Sequence, residues 1–167
     1  VDDFNNDHYL DIAAADYGTN NAVILLGRGN RNFTTFAKYS AGVGSRPYSI
    51  TAADLNGDGN VDLATGNYGN NAVAILLGTG NGSFVLFAEL PTGDASNPWM
   101  LTTADLNKDN HTYIIVVNHG TSVVDIFYGF GNGSFKPQKR YSSGATSAAV
   151  WTYIVDMNND TLLDKIT

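Results

Sequence analysis

Asp54-Leu-Asn-Gly-Asp-Gly-Asn-Val-Asp62 carries oxygen-bearing side chains at its first, third, fifth and ninth places. Carboxylates this close repel one another, so Asp54, Asp58 and Asp62, with Asn56, make most sense around a hard divalent cation such as Ca²⁺. Gly59 at the sixth place permits the sharp bend that aims the Asn60 carbonyl inward, because glycine reaches positive φ without steric cost.

The frame recurs with leading aspartates Asp3, Asp54, Asp105 and Asp156, each 51 residues from the last. The first copy offers Asp3, Asn5, Asp7 and Asp11 with the Tyr9 carbonyl, and His8 stands where glycine bends the second. The third offers Asp105, Asn107, Asp109 and the His111 carbonyl, but Tyr113 replaces the ninth-place aspartate. The fourth offers Asp156, Asn158, Asp160 and Asp164 with the Leu162 carbonyl, and a β-branched Thr161 occupies the bend. Up to four Ca²⁺ sites are therefore expected, with affinity falling from the second loop to the first, the fourth and the third. The twelfth places are Ala14, Thr65, Val116 and Thr167, so the bidentate glutamate of an EF-hand is missing.

These loops need elements to hold them, and the rest of the period supplies strands. Phe33, Phe84 and Phe135 keep the same step, as do Gly27, Gly78 and Gly129, which makes the chain a tandem array. Apolar residues nowhere recur at helical spacing for more than a turn or two, so an all-β fold is expected. In the best-preserved copy the strands are predicted over 47–54, 62–67, 71–77 and 84–90. Continuous apolar runs at 22–26 and 73–77 suit strands covered on both faces. Four-stranded antiparallel units repeated this way predict β-propeller blades. The expected boundaries are an incomplete blade over 1–46, blades over 47–97 and 98–148, and the start of another over 149–167. Such a chain is expected to be a segment of a longer array, or one that completes itself by association.

Net charge is −7, and eleven of the sixteen acidic residues lie in the four loops. Four Ca²⁺ would bring the total to about +1. No basic stripe exists to meet phosphates, so nucleic acid is excluded as a partner. No run approaches 18 apolar residues, so membrane insertion is not expected. Cysteine is absent, so no disulfide framework contributes. No metalloprotease helix motif, nucleophile elbow or cysteine nucleophile is present, and the chain reads as non-catalytic.

The loop, its following strand, an Asn-rich turn, the Ile-Leu-Leu-Gly strand and Gly-Asn-Gly-Ser-Phe together resemble the FG-GAP/VCBS repeat family. That family is similar to the calcium-bearing blades of the integrin α-subunit propeller. The resemblance implies a propeller of about seven blades and an extracellular or cell-surface recognition or adhesion role, with an unidentified protein or glycan as partner. Carbohydrate binding, or a polysaccharide-lyase-type module, is the alternative. Tyr48, Trp99 and Trp151, at or next to one repeat position, could offer stacking faces to sugars.

Overall fold

The computed structural model describes residues 1–144 and the strand backbones at 153–155 and 164–166. Every sheet in it is an antiparallel meander, as hairpin connections this short require. The first sheet contains β1 (Ile12–Asp16), β2 (Asn21–Gly27) and β3 (Phe33–Ser40) in chain order. The second contains β4 (Pro47–Ala53), β5 (Asp62–Asn67), β6 (Ala72–Gly78) and β7 (Phe84–Pro91), and it lies within a residue or so of the spans expected from sequence. The third contains β8 (Pro98–Ala104), β9 (Tyr113–Asn118), β10 (Val123–Phe127) and β11 (Lys139–Ser142). Finally, β12 (Tyr153–Val155) pairs with β13 (Asp164–Ile166). No helix among the described residues is long and apolar enough to cross a membrane.

Successive sheets pack face to face, which explains the unbroken apolar runs. Along β6, Ala74 and Leu76 join Ile24 and Leu26 of the first sheet. Val73 and Ile75, on the other face of the same strand, join Ile114, Val116 and Phe127 of the third. Alternation is therefore present in direction but not in polarity, because both faces are interior. The first strands also meet across sheets, where the Thr51 and Thr103 hydroxyls lie 3.3 Å apart.

The repeat extends to irregularities. The β2–β3 and β6–β7 ladders slip at equivalent places, between Ile24 and Leu25 and between Ile75 and Leu76. The third sheet departs from this pattern. Its last strand pairs only from Ile126↔Lys139 onward, with an isolated bridge between Gly129 and Phe135. Pro137 stands where the second sheet has Leu86, and a proline has no N–H to give a ladder. The outer strands expose apolar side chains that the sequence did not mark as surface, among them Phe36, Val85 and Phe87.

Candidate metal centres

Each described loop joins the first and second strand positions of its period and is shaped from within by its leading aspartate. Asp54 Oδ1 accepts the N–H groups of Asn56 and Gly57 at 3.2 and 2.7 Å, and its Oδ2 accepts that of Gly59 at 2.9 Å. Asn56 Oδ1 accepts the Asp58 N–H at 3.0 Å, and Asp58 Oδ1 accepts the Asn60 N–H at 2.8 Å. Three of these bonds recur with Asp3, Asn5 and Asp7, closing on the Tyr9 N–H at 2.9 Å, while Asp3 Oδ1 accepts the Asp7 N–H at 3.1 Å. They recur again with Asp105, Asn107 and Asp109, closing on the His111 N–H at 2.8 Å. Short polar side chains bonding the backbone ahead of them thus fold all three loops alike. Asp156, Asn158, Asp160 and Leu162 lie outside the described residues, and Asp164 is described only as backbone at the start of β13.

Two places in each loop turn left-handed. At the sixth, φ is +69° at His8, +82° at Gly59 and +62° at Asn110. The fourth place, which the sequence did not single out, does the same at Asn6, Gly57 and Lys108, where φ is +58°, +76° and +62°. Lysine is a poor resident of that region. Lys108→Gly is therefore expected to stabilise the protein by about 0.5–1 kcal/mol, read as a raised denaturant midpoint at constant slope.

The ninth-place aspartates Asp11 and Asp62 are buried, and both oxygens of each accept backbone N–H groups. Asp62 Oδ2 takes that of Leu55 at 2.8 Å, and Oδ1 takes that of Gly78, the last residue of β6, also at 2.8 Å. Asp11 holds Phe4 and Gly27 in the same way, at 2.8 and 2.7 Å. Each therefore fastens its loop to the third strand position of its own sheet. In the third loop the buried Tyr113 takes a different route, its hydroxyl donating to Asp109 Oδ2 at 3.0 Å.

A second fastening runs to the neighbouring sheet. The Gly82 N–H donates to the Phe4 carbonyl at 2.7 Å, and the Gly133 N–H donates to that of Leu55 at 3.0 Å. Asn6 adds a side-chain bond to the Gly80 carbonyl at 3.0 Å. Each of these loops thus grips the glycine-rich turn of the next sheet. Gly80 shows how close the parts lie, since a Cβ there would meet Asn6 Nδ2 across the joint at 3.0 Å. Sequence reasoning missed this contact, although buried apolar Phe4 and Leu55 in otherwise polar loops were a signal of it.

Electrostatics follow the wiring. Partial burial pushes the Asp3 carboxyl up, but donations from the His8, Asp7, Asn5 and Asn6 backbone outweigh it and hold it below the ordinary range. The Asn60 N–H, then the Asn56 amide, hold Asp58 low, and the Asn107 amide leads the groups that lower Asp109. Burial raises Asp62, the N–H groups of Gly78 and Leu55 oppose it, and the Asp58 and Asp54 charges push it further up. The second loop therefore gathers negative charge around a buried carboxyl that burial and its neighbours make reluctant to ionise.

A divalent hard cation fits this donor set. Carboxylate, amide and carbonyl oxygens are its preferred ligands, and Asp54, Asn56 and Asp58 are held within a few residues of one another. Among the described residues no three acidic or histidine side chains converge as a ready-made cage, so the loops are shaped by N–H donors.

The aromatic residues gather elsewhere. Tyr48 and Trp99 stack at 4.0 Å between ring centroids, Trp99 meets His119 at 5.1 Å, and Tyr17 and Tyr68 complete the row. Tyr48 and Trp99 thus turn one face toward each other. Trp151 lies outside the described residues.

No curated protein matches the chain. Among solved structures, a functionally unknown protein from Desulfotomaculum acetoxidans DSM 771 is similar at a TM-score of 0.57 and 20% identity. The match covers 77% of this chain and 37% of that one, and it speaks to fold alone. The FG-GAP-like repeat matches residues 3–65, 55–116 and 105–166 in overlapping copies that take in each of the four Asp-rich loop motifs. With its period, loops and sheets all accounted for by that repeat, the chain belongs to the FG-GAP-like repeat family.

Proposed function

We propose that the chain is a calcium-binding, non-catalytic recognition scaffold, extracellular or at the cell surface, built from propeller blades that its metal loops hold rigid. The observation carrying this reading is the double fastening of each well-formed loop. Asp62 ties the second loop to Gly78 of its own sheet, while the Leu55 carbonyl ties it to Gly133 of the next. Anything that stiffens such a loop stiffens the joint between two sheets.

Calcium bound there would supply positive charge to loops that otherwise concentrate carboxylates. Asp54, Asn56 and Asp58, with their counterparts Asp3, Asn5 and Asp7, would hold it, and the Tyr9 and Asn60 carbonyls are the backbone candidates. Asp105, Asn107, Asp109 and the His111 carbonyl would do so more weakly, because Tyr113 brings no carboxylate to fasten that loop to its own sheet as Asp62 fastens the second. Rigid joints leave the surface turns free to differ between copies, as residues 42–46 differ from 93–97. That is how a scaffold presents a partner-specific surface.

At ~1 mM calcium and a Kd of roughly 0.1 mM, each occupied site stabilises the fold by about 1.4 kcal/mol. Melting in calcium should therefore exceed melting in chelator, and Asp58→Asn should remove much of that difference while leaving the chelator midpoint nearly unmoved. Identical midpoints in calcium and chelator would refute the proposal.

A further inference from the structure

The two inter-sheet interfaces are built from equivalent positions but are not filled equally. Between the first and second sheets, Phe84 is buried and meets two rings edge-on, Phe4 at 5.5 Å and Tyr39 at 5.6 Å. One period later those partners are Leu55 and Leu90, while Phe135 keeps the place of Phe84. Two aromatic rings have been lost from these places and one gained, since the buried Phe127 stands where the first interface has Leu76.

The outer wall has changed as well. Leu86 and Phe87 of β7 correspond to Pro137 and Gln138, and Pro137 holds that segment off the ladder until Lys139. A cavity of about 430 Å³ lies there, walled by Leu90, Pro91, Phe127, Phe135 and Pro137. Its volume falls within the range of ordinary small-molecule sites.

Lys136, in the place of Val85, is among the residues that line the cavity. Its Nζ sits 5.5 Å from the centre of the Phe130 ring. Lys139 and Arg140 follow closely, so three of the nine basic residues of a −7 chain fall within five positions. The Gln138 amide is turned to the Pro91 carbonyl at 3.2 Å, which commits one of the polar groups available to an occupant. A polyol would leave hydroxyls unpaired against carbon walls.

We infer that this cavity is a binding site for a small planar aromatic anion, an aryl carboxylate whose ring takes the space beside Phe135 left by Leu90 in the place of Tyr39 and whose charge meets Lys136. Phe127 and Phe135 offer apolar ring surface to the aryl group, and Lys136 in the lining selects the charge.

Naphthalene-2-carboxylate, titrated into the whole chain in calcium and followed by NMR, tests this. The expected result is one saturable site, with shifts centred on Leu90, Phe127, Phe135 and Lys136. Leu90→Tyr, which restores the residue of the first interface, should weaken binding about tenfold or more and raise the melting midpoint. Gln138→Phe closes the same cavity from its outer wall should Leu90→Tyr fold poorly. Lys136→Gln should weaken the carboxylate about fivefold while leaving neutral naphthalene-2-methanol unchanged. Shifts scattered over the aromatic row or the outer strands, or full affinity with the cavity filled, would overturn the assignment. Equal binding of the neutral and charged probes by the unmodified protein would overturn its anionic part.

Discussion

Asp62→Ala, measured in chelator so that metal plays no part, should lower stability by about 3 kcal/mol or more. The substitution leaves two buried N–H groups, those of Leu55 and Gly78, without the acceptors they have at 2.8 Å. Each orphaned donor costs about 1–3 kcal/mol. Asp62→Asn should lose less, because an amide oxygen can still take one of the two. The contrast with Asp58→Asn is informative, since Asp58 lies on the exposed side of the loop. On the proposed reading, one aspartate organises the fold and the other answers to the cation. A chelator-state loss under 1 kcal/mol for Asp62→Ala would show that the buried carboxylate is not the fastening described above.

The second large effect concerns an acid that the repeat does not explain. Asp125, buried in β10, stands where the other sheets have Val23 and Ala74. Arg140 Nε donates to its Oδ1 at 3.1 Å and Asn118 Nδ2 donates to its Oδ2 at 2.9 Å. Arg140 also donates to the Thr92 carbonyl, as Asn67 does to that of Ala41 in the second sheet. Removing Arg140 leaves a buried charge unpaired, which costs about 3–5 kcal/mol in fully buried pairs. Because Arg140 is half exposed, about 2–3 kcal/mol is expected for Arg140→Ala at neutral pH.

That loss should depend on pH in a definite sense. Burial pushes the Asp125 carboxyl up, and Arg140 and the Asn118 amide pull against it. A carboxyl that holds its proton more tightly when folded makes stability fall as pH rises from the ordinary carboxylate value through the folded one. Without Arg140 the folded value climbs, so the variant should recover toward the wild type as pH is lowered through that window. The double change Asp125→Ala with Arg140→Glu recreates the Ala74 and Glu89 pair of the second sheet, and frees Asn118 to reach the Thr92 carbonyl. It should be far less harmful than the single change, and equal damage from both would contradict this account of the pair.

Much of the structure was legible because the repeat spells it out. Strand spans followed from turn glycines and from apolar runs buried on two faces. The loops followed from the spacing of Asp and Asn. What stayed hidden depends on pairs distant in sequence. Nothing local marks the Phe4 carbonyl as the acceptor for Gly82, or says that Asp62 faces two N–H groups. Exposed Val85, Leu86 and Phe87 look like core until the strand proves to be outermost. The shortened β11 was foreshadowed by Pro137, and the opened interface by Leu90 in register with Tyr39. Both departures could have been found by reading the copies against one another rather than for their consensus.

Amide exchange at Gly82 and Gly133 tests most directly whether calcium tightens the joints between sheets. Their N–H groups are donated across the joint to Phe4 and Leu55, so their protection reports how firmly each loop grips its neighbour. Calcium at about 1 mM should slow both by roughly tenfold relative to chelator, beyond any change at Gly69, whose N–H is donated to Ser45 at the other end of the sheet. Equal exchange at Gly82 and Gly133 in the two conditions would contradict the account.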